Sequence, residues 1–496
     1  MPGSYPARFF DRSDLSLRRF ALYDTIIDKS QIVKKGDDAQ VKQRSAVLMT
    51  EGSIKRQIIT FAFPIFLGYL FQQLYNLVDA LVVGNFTGKV ALAAVTSSSS
   101  PIELIVGLIA GVFTGAGVVI ARYYGADDPE RISKAVHTTA AFALLGGVAL
   151  TVVGITLSPA ILRAIGTPAS VLPSSLVYFR IYFSGVLFIA LYNCANGVLQ
   201  AVGDSFHPLI YLIVAALMNI ALDFLLVAGF HQGVAGAGIA TVISQGFSAL
   251  LGLIHLCRAV GPFRLVPRKI RLDLPMLKLI MRVGIPSGIQ ASIISFANTI
   301  IQSYINAFGE NAVAGCGSYN KISGFAALPI ISFSMALTTF ISQNLGAARY
   351  DRVKKGARFG ILAGTLLSEA LGILICLLAP WLISLFNRDP RVVAYGVSET
   401  RIIMPFFFLV CLTNCFAGIL RGAGKTMVPM AVTVVCWCGI RVLYIFLILR
   451  AVYDIRCVFW AYPMSWALST AALVVYFRRT NWMHTSLDEK ERPNDT

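Results

Sequence analysis

Between about residue 57 and residue 477 the chain carries one long apolar run after another. About 20 apolar residues suffice for a helix to cross a bilayer. That criterion gives twelve runs, near 57–83, 92–121, 136–158, 174–202, 208–229, 236–257, 279–306, 316–344, 358–386, 394–420, 427–449 and 456–477. Hydrocarbon offers the backbone no water, so each run has to satisfy its own N–H and C=O groups as a helix. The predicted fold class is all-α integral membrane. Composition supports this: 14% of the 496 residues are charged and 56% are hydrophobic, against about 25% and 45–50% in soluble domains. A water-soluble enzyme is excluded.

The net charge of +17 lies mostly in the gaps between runs. Arg122, Arg131 and Lys134 share one gap, and Arg349, Arg352, Lys354, Lys355 and Arg358 share another. Placing these basic loops inside puts both termini in the cytoplasm. No nucleic-acid partner is expected, because the Phe residues lie inside the apolar runs rather than on a basic stacking face. Residues 1–48 read as a polar, disordered arm without a signal peptide. Residues 49–258 read as a first lobe of six spans and 259–277 as a cytoplasmic linker. Residues 278–480 read as a second lobe of six, and 481–496 as a polar cytoplasmic tail.

The two lobes repeat. A shift of 221 or 222 residues superposes Pro64 on Pro286, Phe86 on Phe308, Gly125-Ala126 on Gly346-Ala347, and Pro159 on Pro380. The run from Asn193-Cys194 to Pro208 falls on Asn414-Cys415 to Pro429. Six spans per repeat give both halves the same orientation, the parallel-repeat plan of several transporters.

Ionisable residues in hydrocarbon cost roughly 2.5–3.5 kcal/mol each on insertion scales, so each demands a reason. The first span carries Gln72, Tyr75, Asn76 and Asp79 at helical spacing, one polar stripe on an apolar helix. The fifth carries Asn219 and Asp223 at i, i+4. Two buried carboxylates with amide and phenol neighbours suit proton exchange or a monovalent cation held by oxygen. The second half has Ile301 and Tyr444 where the two acids would repeat, and its own Glu399 falls on Tyr178, a further cavity candidate. Glu369, Lys321 and Arg441 are also intramembrane, whereas Glu103, Arg180 and Arg401 sit near span ends where snorkelling accounts for them. Gly107, Gly111 and Gly115, four apart, permit close helix contact.

Other chemistry is absent from the pattern. Gly422-Ala423-Gly424-Lys425-Thr426 ends like a phosphate loop, yet Ile419 stands where the first glycine belongs and no strand precedes it. His137, His207, His231, His255 and His484 are scattered singly, and the nine cysteines lack zinc spacing. Neither a catalytic constellation nor an organic cofactor is expected, and no metal beyond Na⁺ at Asp79 and Asp223.

Several stretches, in order, resemble the multidrug and toxic compound extrusion (MATE) family: Met49-Thr50-Glu51-Gly52-Ser53, Pro64-Ile65, Gln72-Gln73-Leu74-Tyr75-Asn76, Asp79, Val83-Gly84, Ala91-Leu92-Ala93-Ala94-Val95, and Gly197 through Asp204. The resemblance covers about residues 49–480. It implies two six-helix lobes around a central cavity. It also implies secondary antiport of cationic or amphipathic small molecules outward against inward Na⁺ or H⁺, in a bacterial plasma membrane. The family's first-helix acid matches Asp79, and its Asn-x-x-x-Asp pair matches Asn219 and Asp223. Tyr178 and Thr241 look like the remaining polar members of that coupling site, with Gln72, Tyr75, Asn76 and Glu399 assigned to the substrate cavity. A monomer in the lipid bilayer is expected. The alternative is a lipid-linked saccharide flippase, which shares the two-lobe plan and would need a cationic cavity.

Overall fold

The computed structural model describes residues 48–483. Residues 1–47, and with them nearly all of the polar arm, lie outside the described residues, as do residues 484–496 of the tail. Within these limits the regular structure is entirely helical.

The first lobe comprises α1 (Ile54–Gly125), α2 (Pro129–Ala164), α3 (Leu172–Ser184), α4 (Val186–Ala201), α5 (Phe206–Asp223) and α6 (Gly233–Arg258). The second comprises α7 (Leu274–Asn306), α8 (Glu310–Gly346), α9 (Tyr350–Ser384), α10 (Pro390–Ile403), α11 (Phe407–Gly422), α12 (Met427–Thr433), α13 (Arg441–Ala451) and α14 (Ile455–Arg479). Helix starts follow the sequence. Asp128, Asp273, Asp389 and Asp454 accept backbone N–H groups of Arg131, Met276, Arg391 and Arg456 at 2.8–3.0 Å, and proline opens α2, α7 and α10.

Among the described residues, eleven helical stretches are long and apolar enough to cross a membrane, and α3 with α4, bent by 43° at Gly185, supplies the twelfth. Leu145, Leu366 and Leu377 are more than 60% exposed on the outside of the bundle. Such a surface suits hydrocarbon and not water. The chain is a multi-pass membrane protein.

One expectation changes form. The sequence separates the first two spans, but helical backbone continues from Ile54 to Gly125, 72 residues. A straight helix of that length would extend about 108 Å, several bilayers deep. It does not stay straight, because both ends come back to Gln343. The Met49 N–H, just before α1, donates to Gln343 Oε1 at 2.9 Å, and a Cβ added at Gly125 would lie 1.9 Å from the Gln343 carbonyl oxygen. The segment is thus a helical hairpin whose arms, Ile54–Thr87 and Pro101–Gly125, are the two expected spans.

The apolar interior divides into two cores that do not quite follow chain order. Met49, Ile58, Phe61, Ala62 and Ile65 pack in the second-lobe core with residues of α8 to α14. Met276, Ile280 and Val283 of α7 pack in the first-lobe core. These exchanged stretches correspond under the 222-residue shift, since Ile280 falls on Ile58 and Val283 on Phe61. Arg352 holds the first stretch down, its guanidinium donating to the carbonyls of Met49 and Gly52 and to Gln57 Oε1 at 2.8–3.1 Å.

The lobes meet closely at one end. Gly111 faces Gly288 and Gly115 faces Gly284, with backbones so near that an added Cβ would fall 2.2 and 2.4 Å from the opposing Cα. Ser342 Oγ donates to the Val118 carbonyl and Gln343 Nε2 to the Ala201 carbonyl, both at 2.7 Å. The glycine contacts lie inside α1 and α7, whereas the two hydrogen bonds lie near the C-terminal end of α8.

Candidate functional site

Of the polar stripe of α1, Gln72, Tyr75 and Asp79 turn inward and Asn76 does not. Gln72 and Tyr75 line a cavity of about 330 Å³, with Tyr69 from the same arm, Tyr182 of α3, Tyr192, Asn193, Asn196 and Gln200 of α4, and Gln245 of α6. No lining residue carries a charge. Aromatic faces and amide oxygens are what a solvated or aromatic cation can use in place of water. Asn76 is exposed and outside this lining.

A second, much smaller pocket of about 30 Å³ opens behind the first. Gln72 and Tyr75 line it as well, together with Asn219 of α5 and Thr241 of α6. That volume accommodates one or two waters or ions. The Tyr75 hydroxyl and Gln72 bond each other, and both acids lie within electrostatic reach of Tyr75. These two side chains therefore border both pockets, with Tyr75 within electrostatic reach of the carboxylates.

Asp223 and Asn219 are buried at 0% and 2% exposure. A π-helical turn, Phe224–Gly229, begins at the residue after Asp223, and such turns free local carbonyls from the α-helical ladder. The carboxyl groups of Asp79 and Asp223 lie within hydrogen-bonding reach of one another. Beyond that mutual approach, Asp79 Oδ1, both Asp223 oxygens and both ends of the Asn219 amide have no hydrogen-bond partner. Tyr178 is buried beside them, within electrostatic reach of both acids. Thr241 turns its hydroxyl to the Ala237 carbonyl at 3.0 Å while lining the small pocket. Asp79, Tyr178, Asn219, Asp223 and Thr241 thus gather in one lobe.

Glu399 lies elsewhere. It is 1% exposed within the second lobe, bonded to the Cys316 thiol and close to Tyr319 and Tyr462, and it lines neither cavity described above. Tyr462 also carries the guanidinium of the buried Arg441, 4.6 Å from its ring centre, while Arg441 Nε donates to Ser465 Oγ at 2.7 Å. The two lobes repeat in backbone but not in chemistry: an acid pair in one, a separated acid and base in the other.

The sequence missed the aromatic and amide lining of the larger cavity. Asn193, Asn196 and Gln200 share one face of α4 at i, i+3 and i+7, a signal of the kind that exposed the α1 stripe. Isolated histidines in the sequence also meet in space. His207 and His255 stack edge to face with ring centres 4.4 Å apart, because the start of α5 packs beside the end of α6.

The MatE family model matches residues 64–225 and again residues 286–447, two segments offset by 222 residues. The chain belongs to the MatE family. The paired matches reproduce the internal repeat and confirm the two-lobe plan. Among MatE relatives, the probable multidrug resistance protein YoeA of Bacillus subtilis (strain 168) is 29% identical over 434 residues, covering 86% of this chain and 94% of the relative. The multidrug export protein MepA of Staphylococcus aureus (strain MRSA252) is 22% identical, covering 88% and 97%. Among solved structures, a MOP superfamily transporter from Pyrococcus furiosus superposes with a TM-score of 0.83 at 23% identity, covering 88% of this chain and 98% of that one. An outward-facing multidrug resistance MATE family transporter superposes with a TM-score of 0.81 at 24% identity, covering 88% and 97%.

Proposed function

We propose that this MatE protein is a secondary antiporter of a bacterial plasma membrane, exporting cationic or amphipathic small molecules in exchange for inward Na⁺ or H⁺. The observation that carries the proposal is the donor-free acid group of Asp79, Asn219 and Asp223. Buried polar atoms are nearly always hydrogen-bonded, and an ionised carboxylate in low dielectric demands a counter-charge. A proton or a small cation with oxygen ligands supplies one, and the coupling ion is the species that comes and goes. Names of the relatives support multidrug export as the cargo class.

In this reading the basic loops face the cytoplasm, which makes the closed end of the lobes the cytoplasmic one. The described conformation is then shut toward the cell interior. Occupation of the acid group by Na⁺ or H⁺ reshapes α1 and α5, and Tyr75 with Gln72 transmits the change to the cavity wall. Drug release and ion uptake alternate at neighbouring pockets in a single chain. The neutral, tyrosine-rich lining weighs against a lipid-linked saccharide flippase, whose pyrophosphate would call for Arg or Lys.

The test is efflux of a fluorescent cation from proteoliposomes under imposed Na⁺ or H⁺ gradients. Asp79→Asn and Asp223→Asn should each abolish gradient-driven efflux while the protein still inserts. Undiminished efflux in either variant overturns the assignment.

A further inference from the structure

We propose that Asp204, His207 and His255 form a binding site for a divalent transition metal of the Zn²⁺ class, fastening the turn between α4 and α5 to the end of α6. Each of the three residues offers one ligand atom, and these atoms all lie within 4.8 Å of one another. The set is two imidazoles and one carboxylate, which suits Zn²⁺ and its neighbours rather than Mg²⁺ or Ca²⁺.

The donors are held in place by the fold. Asp204 is 4% exposed, and its Oδ1 accepts the backbone N–H groups of Phe206 and His207 at the start of α5, both at 3.1 Å. Oδ2 is therefore the free oxygen, and it lies 2.6 Å from His207 Nδ1. Tyr211 Oη sits 2.6 Å from His255 Nδ1, which fixes that ring and leaves Nε2 to ligate. Such an outer partner is usual for a metal-binding histidine. The side chain of His207 is 35% exposed, so a hydrated ion has a way in.

Binding displaces the proton shared by Asp204 Oδ2 and His207 Nδ1. If both atoms ligate, they separate to about 3.3 Å, the edge of a tetrahedron with metal bonds of about 2.0–2.1 Å. Three protein ligands leave the fourth position to water. The site is distinct from the acid pair and does not depend on the antiport reading. Its position gives it leverage, since the Ala201 carbonyl at the same turn receives the Gln343 hydrogen bond that joins the lobes. A metal at this turn stiffens one side of that contact.

Tag-free, full-length protein in detergent is titrated with Co²⁺ alone and read by its visible d–d absorption. The expected result is one Co²⁺ per chain, bleached by equimolar Zn²⁺. His207→Gln and His255→Gln, on different helices, should each weaken Co²⁺ binding at least about tenfold, while His231→Gln in the α5–α6 turn leaves it unchanged. Helical circular dichroism and thermal unfolding identify any variant that fails to fold. Absence of d–d bands in the wild type, or bands that survive in both folded His207 and His255 variants, overturns the site.

Discussion

A carboxylate inside hydrocarbon with no partner beyond another acid is a standing cost, and Asp79 and Asp223 carry it together. If their role were structural, replacing either with asparagine would remove a needed interaction and destabilise the protein. If they are kept for an exchangeable ion, the same change removes a desolvated charge and leaves stability level or higher. The expected outcome is therefore a split: Asp223→Asn loses efflux, while its melting temperature in Na⁺-free buffer at neutral pH is equal to or above wild type. A drop of several degrees would assign Asp223 to packing. These acids were legible in the sequence because charges within apolar runs are few and Asn219 and Asp223 share a face. Tyr69, Tyr182 and Tyr192 were not, since a tyrosine in an apolar run looks the same whether it packs or lines a cavity. The meeting of His207 with His255 was hidden for a different reason: 48 positions separate them, and only helix pairing brings them together.

At the level of elements, the twelve-span pattern was readable from apolar length alone, and the proline pairs Pro64–Pro286 and Pro159–Pro380 recur inside matching helices. The bend between α3 and α4 was not readable. Its cause is tertiary: at Gly185 an added Cβ would come within 2.6 Å of Val242 on α6, so the backbone approaches where only glycine fits. The same argument bears on the crossing of α1 and α7. Gly111→Ala puts a methyl group against the Gly288 backbone, which cannot swing aside as a side chain would. It should cost about 1–3 kcal/mol and lower the melting temperature. Gly68→Ala, whose nearest neighbour is a Leu209 methyl at 3.9 Å, should be silent in the same assay. Equal behaviour of the two variants would refute close packing at this crossing.

For the whole molecule, the closed end depends on a few hydrogen bonds, with Gln343 at their centre. Gln343→Ala forfeits the bonds to Ala201 and Met49 and leaves buried backbone groups unsatisfied, a penalty of about 1–3 kcal/mol for each group. That bias is enough to move a two-state equilibrium by tenfold or more. Spin labels on the turns after α1 and α8, at Asp127→Cys and Ala348→Cys, should report a larger share of long distances in this variant. An unchanged distribution would show that Gln343 does not hold the end shut. Energetically, one monovalent cation out for one in moves no net charge. Under the proposed antiport at this ratio, the membrane potential, about 2.3 kcal/mol per charge per 100 mV, drops out and the ion gradient alone would drive the exchange. The exchange of helix starts between the cores has a consequence for biogenesis. When the ribosome has finished α6, the first lobe still lacks Met276, Ile280 and Val283, and the stretch from Met49 to Ile65 has no second lobe to enter. Neither half is a complete folding unit. The newly inserted first half waits in the bilayer for its successor, and a polypeptide truncated at the linker leaves two complementary gaps that only the missing half can fill.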